Sequence, residues 1–125
     1  MDRGLILFAH GARDPRWALP FEAVAERVRA ARPALPVRVA YLDFMAPTLA
    51  GAAAELAAAG CSRIEVMPMF LGAGGHVRQD LPLLLQALRD AHPGLRVTMH
   101  TAVGEIDSVM DAMAEAALAT LAGTP

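Results

Sequence analysis

Short apolar runs alternate with longer segments of helical period along the whole chain. "GLILFA", residues 4–9, is continuously apolar and reads as a buried strand. Residues 16–32 follow with Trp17, Phe21, Val24 and Val28 on a helical period. Pro33 and Pro36 bracket a turn, and "VRVAYL", 37–42, alternates like a strand. Residues 47–59 are alanine-rich and helical, with Pro47 expected in the first turn and Gly60 as the stop. "RIEVMPMF", 63–70, predicts a third strand. A helix is expected from about Asp80 to His92, with Asp80 as N-cap and Pro82 in the first turn, where a missing N–H costs little. "LRVTMH", 95–100, predicts a fourth strand, and 106–121 a last helix.

Four βα units predict an α/β fold: a single three-layer domain over residues 1–125, with a four-stranded parallel sheet and helices on both faces. Right-handed crossovers leave few topologies. In such a sheet, ligands bind outside the carboxyl ends of the strands. His10 follows the first strand, Asp43 the second, His76 the glycine loop after the third, and His100 ends the fourth. The metal-capable residues therefore gather on one rim.

Composition narrows the class. At 125 residues the chain can bury a core without a disulfide or metal staple. Its hydrophobic share, 55%, is high, and much of the excess is alanine and leucine, which favour helix. No apolar run approaches the roughly 18 residues that span a membrane. "MDRGLILFAH" does not read as a signal peptide. Cys61 is the only cysteine, so an internal disulfide is excluded, and a cytoplasmic protein is expected. Cys61 reads as an unreactive thiol at a helix-to-strand turn. A net charge of −2 argues against nucleic acid as a partner.

A lone histidine closing a strand most often bonds a neighbouring loop. Two of them, each beside glycine and on the same edge, shift the reading of His10 and His76 to function, because neutral imidazole is the commonest metal ligand. Glycine permits close approach of a ligand to backbone. Two histidines and a carboxylate suit first-row divalent metals. Asp43 is either a turn residue or the third ligand or proton acceptor. With neither a cysteine cluster nor an HExxH spacing, the site is open and weak, which suits a protein that passes metal on. Arg13, Arg16 and Arg78 flank the histidine loops, either as solvated surface or as partners for substrate carboxylates. His92 suits a helix C-terminus, and His100 is a candidate supporting group. The methionines of "MPMF" look like a copper motif, but a buried strand makes them core filling.

"HGARDP", "AYLDFMAPTL" and "PMFLGAGGHVRQDLP", in this order and spacing, resemble the small-type sirohydrochlorin chelatases, CbiX/SirB-like members of the ATP-independent class II chelatases. The resemblance covers roughly residues 4 to 120 and is most specific from Pro68 to Pro82. It implies a chelatase-like domain, half of a flavodoxin-like pair, that inserts a divalent metal into sirohydrochlorin in cobalamin or siroheme synthesis. The metal (Co2+, Fe2+ or Ni2+) is substrate, and no tightly bound cofactor is implied. His10 and His76 become the metal-handling pair, with Asp43 as their partner. Arg13, Arg16 and Arg78 would face the carboxylates of the ring, and Gly74 and Gly75, in the 72–75 loop, its flat face. A homodimer is implied. Two positions depart from the family pattern: Ala12 stands where serine is more usual, and Asp43 where glutamate is. The rival readings are a non-catalytic metal or tetrapyrrole carrier on the same fold and histidine-phosphatase-like phosphoryl transfer. The latter family's arginine directly precedes its histidine, where this chain has Ala9.

Overall fold

The computed structural model describes residues 2–72 and 74–123, with backbone alone for 75–78. Four parallel strands, β1 (Arg3–Ala9), β2 (Val37–Tyr41), β3 (Arg63–Pro68) and β4 (Arg96–Met99), stand in the order β2-β1-β3-β4. Helices α1 (Leu19–Ala31), α2 (Leu49–Ala58), α3 (Gly75–Ala91) and α4 (Asp107–Ala119) follow them in turn. The expected α/β architecture is what forms.

β1 is central because it is apolar on both sides of its pleat. Ile6 and Phe8 point into one core with Leu49, Leu56, Ile64, Val66, Leu88 and Val97, beneath α2 and α3. Leu7 and Ala9 point into a second core with Val39, Tyr41 and Ala25, beneath α1. Trp17, Phe21, Val24 and Val28 close that second core as the periodicity predicts, with the Trp17 and Phe21 rings 4.6 Å apart. Cys61 is free and buried in the first core, against Gly4.

Several boundaries move, each for a local reason. Residues 15–18 form a 3-10 turn before α1, because the Asp14 carboxylate accepts the Arg16 N–H at 2.9 Å and caps that turn first. Thr48 is the N-cap of α2, its Oγ1 accepting the Gly51 N–H at 3.1 Å, so Pro47 lies outside the helix rather than in its first turn. Gly60, at φ +99°, ends that segment as expected. The larger correction is α3, which starts at Gly75 with Gly74 at the N-cap position instead of Asp80. Pro82 is therefore inside the helix. Its ring removes an N–H from the ladder, while Leu81, Leu84, Leu85 and Leu88 carry the apolar stripe past it onto the core. Met67 and Met69 are half-buried and pack against the second core.

Tyr41 closes β2 with its phenol donating to Glu22 of α1 at 3.2 Å. Burial first, and the Glu22 carboxylate second, push its pKa up to about 12. An unfolded tyrosine ionises near 10, so this contribution to stability is intact below about pH 10 and is lost as pH rises toward the folded value. Tyr41 is the only tyrosine. An alkaline absorbance titration is expected to show tyrosinate forming near 12 in the folded protein and near 10 in denaturant. A folded-state midpoint near 10 would contradict this description of the Tyr41 environment.

Candidate functional site

β1 is sealed up to Ala9, which is fully buried, and His10 is the first residue to emerge. Its position is set by backbone. The Leu42 N–H donates to the Ala9 carbonyl at 2.9 Å, and the Asp43 N–H donates to the His10 carbonyl at 2.8 Å. Parallel pairing thus runs past the ends of both strands and holds His10 beside Asp43. The His10 ring stacks on Phe70, with centroids 4.2 Å apart and planes inclined by 35°. Phe70 is itself buried and leans on Phe8 at 5.9 Å. The imidazole is therefore backed by a fixed aromatic floor while its other surface meets solvent.

The glycine after His10 has a different purpose from the one its sequence suggests. Gly11 sits at φ +88°, and a Cβ there would lie 1.9 Å from the Asp43 carbonyl oxygen. The close approach it permits is that of the Asp43 loop. Gly104 does the same for a second pair of loops. Its N–H donates to the Phe70 carbonyl at 3.0 Å, and a Cβ on it would lie 2.0 Å from the Leu71 carbonyl oxygen. The turn after β4 thereby fixes the chain leaving β3.

Two exposed apolar side chains rise at this edge, and the sequence reading missed both. Phe44 is 67% exposed and adopts φ +68°, and Leu71 is 72% exposed. A non-glycine residue with positive φ is uncommon, and such strain clusters at functional sites. The Arg13 guanidinium lies 5.0 Å from the Phe44 ring centroid and has no carboxylate partner among the described residues. The signal was available in "LDFMAP", where an aromatic sits in a turn between a strand and a helix cap.

The remaining predicted residues fall less evenly. Arg16 is engaged by Asp14 through Nε and Nη2, the latter at 2.8 Å, and this pairing holds the Asp14 carboxyl below its usual range. His76 is not on the glycine loop but in the first turn of α3, with Arg78 two residues on. The side chains of His76 and Arg78 lie outside the described residues, and Gly75 is described by its backbone as the first residue of α3. Gly74 is exposed at the N-cap position. His100 belongs elsewhere: its Nε2 faces Glu65 at 3.6 Å, across the sheet from His10, so strand alternation separates it from the His10 cluster. Among the described residues no three His, Cys, Asp or Glu side chains converge for a metal.

Residues 4–120 match the family model CbiX. The chain belongs to the CbiX family. It is 33% identical over 88 residues to a sirohydrochlorin cobaltochelatase of Methanocaldococcus jannaschii, the match covering 70% of this chain and 62% of that protein. The chain thus spans less than two thirds of the length of that relative. The crystal structure of a CbiX protein from Marinobacter aquaeolei VT8 superposes with a TM-score of 0.83 at 28% identity, over 95% of this chain and 97% of the other. SirB from Bacillus subtilis with Fe3+ shares the fold with a TM-score of 0.80 at 21% identity, over all of this chain and 49% of that one.

Within this CbiX-family edge, Gly11 is the residue with least freedom. Gly11→Ala is expected to cost about 2–4 kcal/mol in urea denaturation, combining a left-handed backbone with a clash that must push the Asp43 loop away. A loss below about 0.5 kcal/mol would show that the two loops are not in the contact described.

Proposed function

We propose that this chain inserts a divalent metal, Co2+ or Fe2+, into sirohydrochlorin without ATP, as a step of cobalamin or siroheme synthesis. The observation that carries the reading is His10, exposed on an aromatic floor at the carboxyl edge of the sheet and tied through backbone to Asp43. Membership of the CbiX family and a relative named for cobalt insertion into sirohydrochlorin support the substrate class. No resident cofactor is required, since the metal is itself a substrate.

The chemistry asked of the protein is modest. Metal enters the ring as two pyrrole N–H protons leave, so the site must present a metal weakly and accept protons. His10 and His76 present the metal, and Asp43 or one of the imidazoles takes the protons, a step best served by a base whose pKa lies near ambient pH. Arg13 meets a ring carboxylate with no carboxylate of its own to give up. Arg78 is assigned the same task, and Arg16 a lesser one because Asp14 already holds it. Phe44 and Leu71 flank the macrocycle, and Gly74 and Gly75 leave room for its face. The chain works in the cytoplasm as a homodimer. The single buried thiol fits the cytoplasmic part of that reading, and among the described residues no helix is long and apolar enough to cross a membrane.

His10→Ala and His76→Ala are each expected to lower kcat for Co2+ insertion by at least about 100-fold. Arg13→Ala is expected to raise KM for sirohydrochlorin several-fold with kcat nearly kept, the mark of lost ground-state binding. Anaerobic steady-state assays following the ring absorbance check both. Full activity in either histidine variant removes that residue from the mechanism.

A further inference from the structure

Phe44 and Met45 are adjacent apolar residues with opposite fates. Met45 packs against the second core, while Phe44 is turned outward and is 67% exposed. The loop that carries them is closed at its base, where the Tyr41 N–H donates to the Pro47 carbonyl at 2.9 Å. Leaving a phenyl ring in water forgoes the burial free energy of one of the largest apolar side chains. The loop holds Phe44 there against a second cost, in its backbone.

The Met45 N–H donates to the Asp43 carbonyl at 2.8 Å, and Phe44, between them, has φ +68°. A hydrogen bond from residue i+2 to residue i around a positive φ is the rarer, strained form of γ-turn. This turn cannot relax locally, because Asp43 is fastened from both sides. Its N–H donates to the His10 carbonyl at 2.8 Å, and its carbonyl oxygen fills the space that a Cβ on Gly11 would need. The backbone around His10 thus imposes the turn, and the turn projects the next side chain out of the edge. Glycine is the residue that suits such a φ. Phenylalanine stands there instead, strained and unburied, so neither packing nor backbone preference accounts for it.

What the phenyl ring does touch is Arg13. The guanidinium lies 5.0 Å from its centroid, within the range of a cation–π contact, and no carboxylate among the described residues pairs with it. The neighbouring Asp14 is taken by Arg16. An arginine free in solvent loses rotamer freedom when it binds, whereas one laid on an aromatic ring has given up part of that freedom beforehand. All the donors of a guanidinium lie in its plane, so resting on a ring leaves them available. A flat apolar surface and a preset fork therefore stand together at the edge that carries His10.

We infer that Phe44 and Arg13 are one recognition unit. The strained turn displays the phenyl ring, the ring presets the guanidinium, and the pair takes the carboxylate-bearing periphery of a flat conjugated ligand. This deepens the chelatase reading and rests on it: Phe44 sets the preference for an anionic ring, while His10 and His76 handle the metal.

Equilibrium binding of metal-free sirohydrochlorin, read from the ring absorbance, tests the unit. Phe44→Gly is expected to weaken Kd about 10-fold and Arg13→Ala several-fold, with the double variant about as weak as Phe44→Gly alone, the non-additivity of two residues that act together. The wild-type Kd is expected to rise with NaCl as the carboxylate contact is screened, and this dependence to be shallower in Phe44→Gly as well as in Arg13→Ala. An uncharged residue changes the salt dependence in this way by acting through the guanidinium. Phe44→Tyr is expected to bind as wild type does. In urea denaturation Phe44→Gly is expected to keep or raise the midpoint, because it releases a strained turn and removes no buried side chain. Wild-type protein that neither binds nor metallates sirohydrochlorin overturns the chelatase reading and the unit with it. Wild-type protein that binds and turns over, with Phe44→Gly unchanged in Kd and salt dependence, leaves that reading standing and overturns the unit. A clearly lowered urea midpoint in Phe44→Gly assigns Phe44 to the fold and overturns the unit too.

Discussion

A strand that is paired on both edges and buried on both faces can meet solvent only at its ends. β1 is in that position, hydrogen-bonded to β2 and β3 and packed between two cores. Because every strand runs parallel to it, each connection into a helix leaves from the same edge, and the residue that follows Ala9 is forced onto that edge. His10 is there for this reason. The apolar residues of β1 set the direction of the sheet, and the sheet sets the place where chemistry can occur.

The edge is then made rigid by backbone rather than by side chains. Gly11 lets the Asp43 carbonyl occupy the space of a missing Cβ, and Gly104 does so for the Leu71 carbonyl. Each contact joins two loops that are far apart in sequence. Together they give an imidazole with a fixed floor, a carboxylate-bearing loop fastened beside it, and a rim of Phe44 and Leu71. An open edge of this kind accepts a flat ligand without a deep cavity. The arginines divide by their partners: Arg16 is spent on Asp14, and Arg13 rests on the Phe44 ring with its charge available.

Strands were legible because their apolar runs are short and bounded by turn residues, so all four appear within about two residues of their predicted limits. His10 and Asp43 were legible by position, as residues just past strand ends. The start of α3 was not. Glycines and alanine before His76 give no periodic signal, and Asp80 with Pro82 imitates a helix beginning, so His76 was placed on a loop when it belongs to a first turn. Gly11 was read as room for a ligand, because sequence cannot say whose backbone approaches a glycine. Phe44 escaped notice because an aromatic in a turn looks like a core residue until its backbone is seen at positive φ.

The most direct measurement is turnover. Purified protein, sirohydrochlorin and Co2+ are mixed without ATP under anaerobic conditions, and the ring spectrum is followed against a protein-free control. Many product molecules per chain, formed faster than in the control, are what an open His10–Asp43 edge that releases its metal predicts. Metallation no faster than the control, or a reaction that stops at one equivalent with the ring still bound, would contradict it and leave a carrier in place of an enzyme.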